Sequence, residues 1–164
     1  MRVVLLATAA VFAACTAAAD TLKDGTVSVK SGLYNWKQKT EVVGFGSKEE
    51  NTECLIPQKA TMTLSRLVDD LQKGCKVENV VQTSTGYNFR MVCTGKIPGT
   101  ADASLKHTDT SMTIEAKGSA TVGGFIPAGF SLRADANYVG ECTQDQIAKA
   151  TVSYYKKHPE ERPQ

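Results

Sequence analysis

From Ala101 to Tyr138 the chain alternates apolar and polar side chains with few breaks. Ala101, Ala103 and Leu105 alternate with Asp102, Ser104 and Lys106. Met112, Ile114, Ala116, Ala120 and Val122 alternate with Thr113, Glu115, Lys117, Ser119 and Thr121. Phe130, Leu132, Ala134, Ala136 and Tyr138 alternate with Ser131, Arg133, Asp135 and Asn137. Successive side chains of a strand point to opposite faces, so these segments predict antiparallel strands with one dry and one wet face. Leu33 to Val43 predicts a further long strand, with Tyr34 and Trp36 on one face and Asn35, Lys37, Lys39 and Glu41 on the other. Gly44-Phe45-Gly46 then predicts a hairpin turn, and the returning strand ends near Cys54-Leu55-Ile56, where Pro57 stops it.

One segment inside this strand-rich region has helical spacing instead. Leu64, Leu67, Val68 and Leu71 recur at i, i+3, i+4 and i+7; Thr63 is placed to cap the N-terminus and Gly74 to follow the C-terminus. A helix over 64–73 with a single apolar stripe must lie on a sheet. The expected fold is therefore mainly β (α+β): one curled antiparallel sheet of about seven to eight strands, with one short helix packed on it. The domain should span residues 32–142, after a lead-in over 20–31. In the C-terminal segment, 143–164, Ile147, Ala148, Thr151, Val152 and Tyr155 form a weak helical stripe capped by Thr143, and a disordered tail is expected from His158 onward.

The N-terminus has a different pattern. Met1-Arg2 precedes an unbroken apolar run from Val3 to Ala14, and Ala17-Ala18-Ala19 follows shortly after. One positive charge, a short apolar stretch and a small-x-small site together predict a signal peptide over 1–19, and hence a periplasmic protein. The run is shorter than the roughly 20 residues a transmembrane helix needs, and no transmembrane span is expected elsewhere. Phe12-Ala13-Ala14-Cys15 offers an alternative cut, in which Cys15 becomes a lipid anchor to the outer membrane. The 19 basic and 17 acidic residues nearly balance, and no basic stripe is present to neutralise phosphates, which argues against nucleic acid as a partner.

Of five cysteines, Cys15 falls with the leader, and four remain. An even number in an oxidising compartment predicts disulfides. Lys76–Val81 and Tyr87–Val92 read as hairpin strands. If Val81 faces Tyr87, then Asn79 faces Phe89, Val77 faces Met91 and Cys75 faces Cys93, all on one side of the sheet. Cys75–Cys93 is the expected bridge, and Cys54–Cys142 follows. No Cys-x-x-Cys pair occurs and the only histidines are His107 and His158, so no metal site and no cofactor are expected.

The landmarks Gly32-Leu33-Tyr34, Glu53-Cys54-Leu55, Gly74-Cys75-Lys76-Val77, Cys93-Thr94-Gly95 and Gly140-Glu141-Cys142 resemble those of a bacterial domain-of-unknown-function family, number 3617. The resemblance covers roughly residues 31–142. Ser31 stands where members often have proline, and Asn35 where an acidic residue is common. The resemblance implies a small exported protein of Gram-negative bacteria and supplies no catalytic residues.

Candidate chemistry is sparse. His107, in Lys106-His107-Thr108-Asp109-Thr110, could serve a small periplasmic hydrolase if it paired with Asp109 or Asp102, but an exposed turn histidine is the simpler reading. Asp69 and Asp70 are adjacent on a helix and cannot form a carboxylate pair. The dry face mixes small with large residues, and two readings fit it: alanines close-packed under the helix, or an apolar groove lined by Trp36, Phe89, Met91, Phe130, Leu132 and Tyr138. The resulting expectation is a non-catalytic envelope protein. It would bind a small apolar ligand, or an envelope protein through a sheet edge or the C-terminal segment.

Overall fold

Period-two patterning over most of the chain leaves little choice but a sheet, and the computed structural model, which describes residues 21–42, 45–71, 73–94, 98–122 and 126–163, has one. In order the elements are β1 (Thr21–Leu22), β2 (Thr26–Ser28), β3 (Gly32–Val42), β4 (Phe45–Leu55), α1 (Pro57–Ala60), β5 (Thr61–Thr63), α2 (Leu64–Leu71), β6 (Cys75–Thr83), β7 (Gly86–Cys93), β8 (Gly99–Thr108), β9 (Ser111–Val122), β10 (Ile126–Gly140) and α3 (Gln144–Lys157). The main sheet has eight antiparallel strands in the order β1-β6-β7-β8-β9-β10-β3-β4. Strands β6 to β10 form a continuous meander, and the earlier β3–β4 hairpin docks on its far side against β10. The lead-in supplies the two-residue edge strand β1, and β2 pairs with β5 in a separate small ribbon.

The predicted alternation sorts the faces as expected. Ala101, Ala103, Leu105, Met112, Ile114, Ala116, Ala134 and Ala136 are buried in one core with Tyr34, Phe89 and Met91. Helix α2 sits on that face through Leu64, Leu67 and Val68, all buried. Its N-terminal amide groups are satisfied locally: Arg66 N–H donates to Thr63 Oγ1 and Ser65 N–H to Asp24 Oδ1. Gly74 follows the helix with φ 83°, a left-handed conformation that glycine adopts without strain. Gly118 serves a close approach instead, because a Cβ there would lie 2.0 Å from the Thr100 carbonyl oxygen on β8.

Both expected disulfides are present, Cys75–Cys93 across β6 and β7 and Cys54–Cys142 from the end of β4 to the exit of β10. The hairpin register differs in one respect. Cys75 faces Cys93 and Val77 faces Met91, but the register shifts after Glu78, and Val81 faces Asn88 rather than Tyr87. A bulge at Asn79–Val80 inserts the extra residue. It turns Asn79 to solvent and seats Val80 in the core, which an unbroken period of two would have reversed.

The C-terminal segment also departs from expectation. Helix α3 starts with a capping box, in which Thr143 and Gln146 satisfy each other's backbone amides. Its packed stripe is Ile147, Ala150, Tyr154 and Tyr155 against Cys54, Ile56 and Cys142; Ile147 and Tyr155 were expected there, whereas Val152 is 71% exposed. The tail expected to be disordered instead makes a 3-10 turn at Pro159–Glu161. That turn is held because Glu161 reaches Arg66 and the hydroxyl of buried Tyr154.

Candidate ligand-binding cavity

Helix α2 covers only part of the dry face. Between it and strands β7, β8, β9, β10 and β3 lies a cavity of about 290 Å³, near the lower end of the roughly 300–1,000 Å³ usual for ligand pockets. Leu67 and Val68 form one wall. The sheet supplies Phe89, Met91, Ala101, Ile114, Ala116, Ala120, Ala128, Phe130 and Leu132. The space follows from the small/large mixture seen in the sequence: four of these sheet positions are alanines, so the floor lies low between the large side chains of neighbouring strands.

Register locates the open end. Phe45, Val42 and Phe130 form one cross-strand row on β4, β3 and β10, and directly paired residues share a face. Ile126 and Ala128 lie on the same face of β10, further toward its start. The apolar surface thus runs past the helix, where Phe45 is 84% and Ile126 59% exposed. Toward β3 the wall becomes polar: Gln38 and Thr40 line the cavity, and Gln38 Nε2 donates to Thr40 Oγ1 at 3.4 Å.

Of the six residues expected to line a groove, Phe89, Met91, Phe130 and Leu132 do so. Trp36 and Tyr138 share their face but not their row. Trp36 pairs with Ala136 and lines a separate recess of about 140 Å³ beside Met62, Asp70 and Lys157. Tyr138 packs edge-on against Tyr34, 5.8 Å between centroids, and its hydroxyl donates to Glu141 while accepting from Lys30 Nζ. Among the lining residues that sequence reasoning did not place in the groove are Leu67 and Val68 of the helix and Gln38, Thr40, Val42 and Ala128 of the sheet. The helix residues were identifiable as a stripe, but their position over the sheet was not.

The alternative chemistry finds little support in the geometry. His107 stacks on Tyr87 at the end of β8, 6.5 Å between centroids, on the face opposite Asp102. Asp109 lies in the β8–β9 turn and engages Tyr34 and Lys30 through its backbone carbonyl. Among the described residues no side-chain hydrogen bond joins His107 to either carboxylate. A second titratable cluster joins α2 to the C-terminus. Arg66 reaches Glu161 at 2.8 Å and Tyr154 Oη at 2.7 Å, and His158 lies 3.7 Å from Asp70. Hydrogen bonds from Tyr154 and Arg66 hold the Glu161 carboxyl below its ordinary pKa, and burial pushes the Tyr154 phenol up. His158, Glu160 and Glu161 also offer ligand atoms within 4.8 Å of one another, but the Arg66 guanidinium already supplies positive charge to that cluster.

Fold and cavity together define a disulfide-bridged, mainly antiparallel β domain with one covering helix and an apolar pocket beneath it. Residues 29–142 match the family described as "Protein of unknown function (DUF3617)", and the chain belongs to that family. No curated protein and no solved structure matches it.

Proposed function

We propose that this protein is a non-catalytic binding module of the bacterial envelope that holds a small apolar molecule in the cavity between α2 and the sheet. The observation that carries this reading is the cavity itself, bounded mainly by apolar side chains and lying on the sheet face that also carries exposed Phe45 and Ile126. An apolar pocket of this size leaves its lining side chains without contacts that a ligand would restore. The two disulfides support an exported, oxidising location. Export would use the leader over 1–19, which lies outside the described residues, as does the alternative anchor Cys15.

Native mass spectrometry of protein purified from periplasm tests the proposal, alongside Ala120→Phe, which fills the cavity from a partly buried position. A non-covalent adduct is expected on the wild type and absent from the variant. Finding no adduct, and no binding of added alkyl amphiphiles to the wild type, would sink it.

A further inference from the structure

We infer that the cavity takes a single alkyl chain bearing an uncharged polar headgroup, and discriminates against the corresponding fatty-acid anion; this rests on the binding function proposed above. Every described side chain lining the cavity is uncharged. The polar lining side chains are Thr100 on β8 and, side by side on the apolar face of β3, Gln38 and Thr40, the only place where an amide and a hydroxyl meet among the described lining residues. Across the hairpin Ser47 faces Thr40 and Glu49 faces Gln38, so the same face continues onto β4 as a hydroxyl and an acid. An alkyl chain lying over the alanine floor would therefore end beside an amide and two hydroxyl groups, with the acid Glu49 directly across from Gln38.

The chemistry of this rim selects the headgroup. A hydroxyl or ester headgroup exchanges water hydrogen bonds for bonds to Gln38 and Thr40 with no charge to desolvate. A carboxylate would lose hydration without a cation to offset the loss, and would meet Glu49. The cavity spans β3 to β7, four strand spacings or roughly 19 Å, which gives an extended chain room to lie across the strands.

Isothermal titration calorimetry with monolauroylglycerol and laurate, two ligands with the same chain, separates the outcomes. Wild-type protein with both disulfides intact should bind the neutral ligand at least about tenfold more tightly at pH 8. Thr40→Lys, on the rim, should raise laurate affinity by about tenfold and remove the preference; Gln38→Lys is the second variant should the first not fold. If laurate binds the wild type as tightly as the glyceride, or neither lysine favours it, the headgroup inference fails while the cavity reading stands. If neither ligand binds the wild type, the cavity reading itself fails and takes this one with it.

Discussion

Asn79 has φ 52°, the only described non-glycine residue in the left-handed region, and it forms the bulge that reverses the faces of β6 beyond Glu78. Asparagine tolerates that conformation better than most residues, and a β-branched one tolerates it poorly. Asn79→Val should therefore lower the unfolding free energy by about 1–2 kcal/mol, whereas Asn79→Gly should change it by less than about 0.5 kcal/mol. Urea denaturation of the oxidised protein reads both; equal losses in the two variants would mean that the side chain, not the backbone, holds the bulge. The position also shows a limit of periodicity. Val80 and Val81 are both apolar, so either could point inward, and one inserted residue leaves no mark in composition. Trp36 and Tyr138 show a second limit. Alternation assigns a residue to a face, and both are on the dry face, but only pairing reveals that their rows lie beyond the cavity.

At the scale of elements, α2 is the cavity's cover, and it is fixed at several points. Asp24 and Thr63 hold its first turn, Cys75 follows its end, and its outer side meets the C-terminal turn through Arg66 and Asp70. The helix was legible from its stripe and caps, and the meander from strict alternation. The latch was not, because it joins residues about ninety positions apart through polar side chains that have no periodicity. Glu161 titrates lower in the folded protein than its ordinary value of 4.5, so it favours the docked turn above that value. The contribution is lost as pH falls through the depressed folded value. Arg66, Tyr154, His158 and Glu160 surround it, with Asp70 beside His158, and the only tryptophan, Trp36, lines the recess shared with Asp70 and Lys157. Trp36 emission should accordingly change on acidification below the ordinary carboxylate range, and Glu161→Gln should abolish that step. A step that survives unaltered in the variant would assign it to another group.

At the scale of the molecule, the two bridges restrain different things. Cys75–Cys93 closes a separation of 18 residues within one hairpin that its own ladder already aligns. Cys54–Cys142 closes 88 residues, joining the N-terminal hairpin to the exit of β10 and to the start of α3. Chain entropy alone assigns about 3 kcal/mol to the shorter loop and between 4 and 5, roughly, to the longer. The longer bridge has a further consequence, because the second core, Cys54, Ile56, Cys142 and Tyr154, is built around its sulfur atoms. Its removal frees α3 from β4 and so loosens the latch on the cavity's cover, whereas removing the hairpin bridge leaves that latch untouched. Paired alanine substitutions should thus differ in kind as well as size. Cys54→Ala/Cys142→Ala should show the larger loss of unfolding free energy, and hydrogen exchange should quicken across Gln144–Lys157 and α2 under native conditions. Cys75→Ala/Cys93→Ala should lose less and leave α3 protected. If exchange in α3 is equally fast in both variants, the helix is held by the sheet as a whole and the bridge does not act through its own core.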